Sequence, residues 1–187
     1  VKIVNPVSIG VTTTGSTLTL IGGEAIEFGG NVTQTDASST LNVSNTGGAT
    51  FSGSTFVFGG GTPTVRNLTI GGNANTTITG TITNSSTATS GSTTLIKDGS
   101  GTLTLNPTTG SNALNPTLGA TNALTVNAGT LAAVNNTAAA SQYGTGALTL
   151  GGGTLSFSKA DATAAVQTFA STALTATPSA SPSSTPA

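Results

Sequence analysis

Four basic and five acidic side chains are all the formal charge this sequence offers for chemistry: Lys2, Arg66, Lys97 and Lys159 against Glu24, Glu27, Asp36, Asp98 and Asp161. Acid–base work on a polysaccharide needs two carboxylates facing one cleft, and a calcium site needs a cluster of them. Glu24 and Glu27 are the closest acidic pair apart from nothing but two residues, "AI". On a strand, however, that odd spacing turns them to opposite faces, and solvated corner charges are the simpler reading. Arg66, in "TVRNLTI", reads as an outward strand residue, while Lys97 and Asp98 read as a turn in which the Asp bonds its own backbone. The sequence has no His and no Cys, which removes nucleophilic triads, transition-metal sites and disulfides. No catalytic, cofactor-binding or metal residue is assigned, and neither an enzyme activity nor a cofactor is expected.

Weaker signals have structural explanations. "GGG" at 59–61 and at 151–153 lacks the Lys-Ser/Thr of a P-loop and the helix of a dinucleotide site, so these glycines read as turns. Asn31, Asn42, Asn67, Asn75, Asn84 and Asn135 begin Asn-x-Ser/Thr triplets, which chance supplies in a chain this rich in Asn, Ser and Thr. "TTITGTIT", residues 76–83, would align Thr77, Thr79, Thr81 and Thr83 on one face of an unbroken strand, as in a flat ice-binding ladder. Such pairs drift along the rest of the chain, so ice binding is the weaker alternative.

The elements that position these residues follow from composition and repeats. Only 5% of the 187 residues are charged, against about 25% in ordinary globular domains. No basic stripe exists to neutralise phosphates or anionic headgroups, so neither nucleic acid nor a membrane surface is expected as a partner. No apolar run reaches the roughly 18 residues of a membrane helix. No signal-peptide pattern stands at Val1, so an exported protein would have lost it before this point. Twenty-six glycines interrupt any helix, while Val, Ile, Thr and Leu recur in short alternating runs. Residues 159–172, "KADATAAVQTFAST", could pass for a helix by their alanines, but a strand over 166–169 is preferred.

Segments starting at Leu18, Leu41, Leu68, Leu124 and Leu148 share a frame: an alternating strand, a Gly or Asn turn, and a second alternating strand. "TTLIKDGSGTLTL", residues 93–105, supplies the missing member. A spacing on the order of 20 to 30 residues is that of solenoids. Stacking buries the apolar stripe that one repeat cannot bury alone. Leu18, Leu20, Leu41, Val43, Leu68, Ile70, Leu103, Leu105, Leu124, Val126, Leu148 and Leu150 are the expected inward residues, with the residue between each pair facing out. A sandwich or barrel with hairpins at "NAG" and "DGSG" is the alternative. The solenoid is expected over residues 1–176. Residues 177–187, "TPSASPSSTPA", form a Pro/Ser/Thr-rich tail or linker.

"LIKDGSGTLTL" (95–105) and "LTVNAGTLAAV" (124–134), followed by "GTGALTLGGGTLSF" (144–157), resemble the autotransporter-associated β-strand repeat, also called the passenger-associated transport repeat, of bacterial secreted and surface proteins. Lys97, Gly99 and Gly101 fall in that repeat's register. The resemblance implies an all-β, right-handed parallel β-helix and a location outside the cell or on its surface.

An open solenoid exposes an unpaired strand edge at each end. The bare apolar run of residues 1–11 and the segment around "VQTFAS" are the candidate joining elements. The assembly residues are Val1, Ile3, Val4, Val7, Ile9, Val11, Val166 and Phe169. The expected function is a structural subunit of an extracellular bacterial fibre, sheath or matrix, a homopolymer built head to tail. The alternative is an adhesin-like passenger fragment whose outward Thr, Asn and Ser bind glycan or cell-surface material.

Overall fold

The computed structural model describes residues 1–10, 15–35, 38–58, 66–84, 93–107, 122–136, 143, 146–159 and 166–174. Val11, Asp36, Asp161, the glycines at 59–61 and the tail at 177–187 lie outside the described residues. Three short strands make each of the first four coils. The first coil is β1 (Lys2–Ile3), β2 (Val7–Ile9) and β3 (Ser16–Leu20), and the second is β4 (Ile26–Phe28), β5 (Val32–Gln34) and β6 (Ser38–Val43). Then come β7 (Ala49–Phe51), β8 (Thr55–Phe58) and β9 (Arg66–Gly71), and β10 (Thr76–Ile78), β11 (Thr81–Asn84) and β12 (Thr93–Lys97). Three further pairs follow: β13 (Thr102–Leu105) with β14 (Asn122–Val126), β15 (Thr130–Asn135) with β16 (Ala147–Leu150), and β17 (Thr154–Lys159) with β18 (Ser171–Leu174). No helix occurs among the described residues.

Every strand pairs in parallel with its counterpart one coil away. The result is a β-solenoid with three faces. The first face runs β1-β4-β7-β10-β13-β15-β17, the second β2-β5-β8-β11, and the third β3-β6-β9-β12-β14-β16-β18. Parallel ladders exclude the hairpin alternative. "DGSG" and "NAG" do not fold strands back on themselves; they are corners that carry the chain from β12 to β13 and from β14 to β15, onto a different face.

Alternation puts Leu, Ile and Val inside, as their period of two requires. Leu41, Val43, Leu68, Ile70, Leu103, Leu105, Leu124, Val126 and Leu148 are buried, while the intervening Asn42, Thr69, Thr104, Thr125 and Thr149 are only half-covered. Like residues stack in columns through the interior. One column of the first face reads Ile3, Phe28, Phe51, Ile78, Leu105, Ala133 and Phe157. Phe28 and Phe51 stack with centroids 5.0 Å apart and planes 9° from parallel, and Phe56 meets Phe51 edge-on at 5.6 Å. Such contacts contribute about 0.5–1.5 kcal/mol each beyond area burial.

Two expectations are corrected, and one register is new: Leu41 pairs with Ile70, and Ser39 pairs with Leu68. A two-residue slip leaves every side chain on its original face, so the pattern alone does not fix it. The Thr array of residues 76–83 is broken at a corner, because β10 belongs to the first face and β11 to the second. Thr77 and Thr83 therefore look out from different faces. The last expectation concerns 166–169, which is not a strand; the strand is β18, two residues later. Phe169 turns onto Phe157, with centroids 6.2 Å apart, and Ala170 N–H bonds Gly146 carbonyl at 3.2 Å, which sets Ser171 beside Ala147.

Candidate functional site

Lys2, Glu27 and Lys97 are structural parts of the coil stack. Glu27 points outward from β4, and one carboxylate oxygen accepts from Lys2 Nζ at 2.7 Å and from Ser52 Oγ at 2.6 Å. Those donors hold its carboxyl below the ordinary glutamate range. A general acid needs the opposite shift. Glu24 sits in the bend before β4, off the strand on which the opposite-face argument was built. Among the described residues no three His, Cys, Asp or Glu side chains group to hold a metal ion.

The Glu27 contact joins three coils, since Lys2, Glu27 and Ser52 belong to or adjoin β1, β4 and β7. A carboxyl with a lowered folded pKa contributes stability that is present above its unfolded pKa and lost as pH falls through the folded value. Acidification is therefore expected to loosen β1 first. Amide exchange at Glu27 and Gly29, which bond the Val1 and Ile3 carbonyls, should report it, after correction for intrinsic exchange rates. In Glu27→Gln the acid-dependent part of that loosening should vanish; persistence would assign it to another group.

Arg66 and Lys97 depart from the sequence expectation. Arg66 opens β9 on the inward phase and is buried, because Arg66, Leu68 and Ile70 share one side of the strand. Lys97 is the last residue of β12 rather than a turn residue. It lies in an interior column between Ile70 and Val126 and is 2% exposed. Its stem packs in that column, and its ammonium bends into the corner to donate to the carbonyls of Asp98, Gly99 (2.8 Å) and Ala128 (3.3 Å). Burial pushes the ammonium below the ordinary lysine range, opposed by the Asp98 carboxylate. Lys97 thus ties one coil's corner to the next.

Asparagines do similar work that the triplet motif gave no sign of. Asn31 Oδ1 accepts from Ser54 Oγ at 3.0 Å and from Thr55 N–H at 3.3 Å, and Asn75 Oδ1 accepts from Thr102 N–H at 3.1 Å. Asn136 Nδ2 donates to Asn106 Oδ1 at 2.8 Å and to Pro107 carbonyl at 2.6 Å. Asn135 is buried in the interior.

What remains open to partners is the pair of ends. Among the described residues, the outermost strands β1, β2 and β3 at one end each have a neighbour on one side only, as do β17 and β18 at the other, while the second face stops at β11. Interior columns surface there. Leu18 is 39% exposed although its column partner Leu41 is fully buried, and Phe157 and Leu174 are 42% and 76% exposed at the opposite end. Of the assembly residues read from the sequence, Val1, Ile3, Val4 and Val166 are exposed, and Val7 and Phe169 are half-buried against the core. Ile9 is corrected: at 1% exposure it is a core residue of the first coil, packed inward from β2. Leu18 and Phe157, not singled out for the ends beforehand, belong with the exposed set. The signal was available, since both are inward residues of terminal strands. An open notch of about 190 Å³ lined by Ser8, Ile9, Gly10, Ser16, Thr17 and Leu18 marks the first of these ends.

No helix among the described residues is long and apolar enough to cross a membrane. No protein-family model, curated protein or solved structure matches the chain, so its likeness to the autotransporter-associated repeat rests on the motif residues alone.

Proposed function

We propose that this chain is a structural subunit of an extracellular bacterial fibre, sheath or matrix, self-assembling head to tail through its solenoid ends. The observation that carries the reading is the surfacing of interior apolar columns on terminal strands at both ends, at Ile3 and Leu18 on one side and Phe157 and Leu174 on the other. Edge strands of this kind are templates for strand addition, and joining two different ends gives a contact that does not close, hence a filament. A chain with 5% charged residues raises little repulsion between copies, and the sparse charge and repeat-like motif support a place outside the cell.

Electron microscopy of the purified chain over a range of concentrations tests this. Filaments are expected with an axial repeat on the order of 34 Å, the height of seven strands at about 4.8 Å each. Monomers at every concentration would overturn the reading.

A second reading, a glycan-binding passenger segment, draws on one feature of the first face. Thr50, Thr77 and Thr104 stack in register on its outside, as do Thr102, Thr130 and Thr154. Retention of a monomer on a glycan array would favour it.

A further inference from the structure

We infer that copies of this chain join in a single register, β17 of one copy against β1 of the next with Phe157 opposite Ile3, and β18 against β3 with Leu174 opposite Leu18. The inference rests on the head-to-tail reading and specifies its partner surface. The joint continues the coil-on-coil interface that runs through the molecule, because both residues of each proposed pair end the same interior column. Ile3 and Phe157 terminate the column through Phe51 and Leu105. Leu18 and Leu174 terminate the column through Leu41 and Val126.

Face parity excludes slips by one residue, which would turn the inward set outward. It permits slips by two, as β6 on β9 illustrates. The order of polar and apolar residues excludes those. With Leu174 over Leu18, the neighbouring inward residue Thr172 lies over Ser16, polar on polar. A slip of two either way sets Thr172 on Leu18 or Leu174 on Ser16.

The first face selects the same joint independently. Inward residues of β17 run Leu155, Phe157 and Lys159, the last opposite buried Asn135 on the preceding coil. With Phe157 over Ile3, Leu155 lies over Val1 and Lys159 over Asn5. A slip of two brings either Lys159 onto Ile3 or Phe157 onto Asn5, so a charged or an amide side chain replaces an apolar partner in the column. The notch beside Ser16 and Leu18 is where the β18 side chains enter.

The native chain has no cysteine, so engineered pairs read the register directly. In the proposed joint Ala173 faces Thr17 on the outside of the third face. Side chains directly opposite on adjacent parallel strands stand about one strand spacing apart, about 4.8 Å and close to disulfide reach, whereas residues offset by two lie about 8 Å apart and are not. Thr17→Cys with Ala173→Cys, oxidised after assembly, is expected to give a ladder of covalent multimers on a denaturing gel. Thr19→Cys with Ala173→Cys, two residues off, should give about tenfold less. Lys2→Cys with Ser156→Cys tests the first face separately and covers the case in which one double variant fails to fold. Filaments that cross-link through the offset pair, or through neither proposed pair when both double variants are folded, overturn the register while leaving head-to-tail assembly standing. Monomers by electron microscopy overturn both.

Discussion

Replacing Gly99 by Ala is expected to cost about 3 kcal/mol or more, the largest effect of any single-methyl change considered. Gly99 sits in the corner between β12 and β13 with φ of 67°, where an alanine loses about 1–2 kcal/mol to the clash of its Cβ with the carbonyl. The neighbouring coil adds a second obstacle. A Cβ there would stand 2.3 Å from the Gly72 carbonyl oxygen and 2.5 Å from the Gly72 nitrogen, both rigid backbone. Gly129, φ 63°, repeats the arrangement one coil on, its own Cβ position 2.4 Å from the Gly99 oxygen. The coils can stack at strand spacing only because these corners carry no side chain. Gly23→Ala is the control: it has no atom within 4 Å and no positive φ, and should change stability by less than about 0.5 kcal/mol. Urea denaturation followed by circular dichroism compares the two, and equal midpoints would refute the close-packing account of the corner.

Lys97→Met is the second large change, expected to cost about 1–3 kcal/mol. Methionine matches the stem in length and would fill the column between Ile70 and Val126, so the two explanations of a buried lysine part here. If the side chain served only as apolar filling, removal of a desolvated charge would be neutral or stabilising. If it serves as a donor to the Asp98, Gly99 and Ala128 carbonyls, its loss leaves those acceptors without their donor in a half-covered corner. Denaturation midpoints distinguish the outcomes. Faster amide exchange at Gly101, which bonds the Gly72 carbonyl at 3.1 Å, would place the damage at this corner. A midpoint at or above that of the parent chain would rule out the donor role.

The strand pattern was legible because a period of two is carried by each short run on its own: Leu41, Leu68, Leu103 and Leu124 needed no knowledge of their neighbours to be placed inside. Register between coils was less legible. The slip that sets Leu41 over Ile70 depends on how many residues the intervening corners consume, and an even slip leaves no trace in the pattern. Arg66 and Lys97 were misplaced for a related reason. Both occupy strand ends in the inward phase, and a charge there was read by residue type, as outward or as turn, when phase, and for Lys97 a set of carbonyls, decided otherwise. The ends followed from the same period. Ile3 and Leu174 are ordinary inward residues that become surface features only because their strands are outermost. Thr77 to Thr83 failed as a ladder because Gly80, an unremarkable letter in an alternating run, is a corner.

Two of the four Lys and Arg side chains are interior, and this bears on how the chain would survive among secreted proteases. A trypsin-like enzyme must draw an extended segment around a basic residue into its cleft. At Arg66 and Lys97 that would require peeling a central strand of the third face away from both neighbours. Lys2 and Lys159 lie on outermost strands, where stacking against a second copy would shelter them too. In the proposed head-to-tail filament every basic cleavage point would lie either in the core or beneath a neighbouring copy, an arrangement suited to long residence in a digestive milieu without a disulfide to hold it.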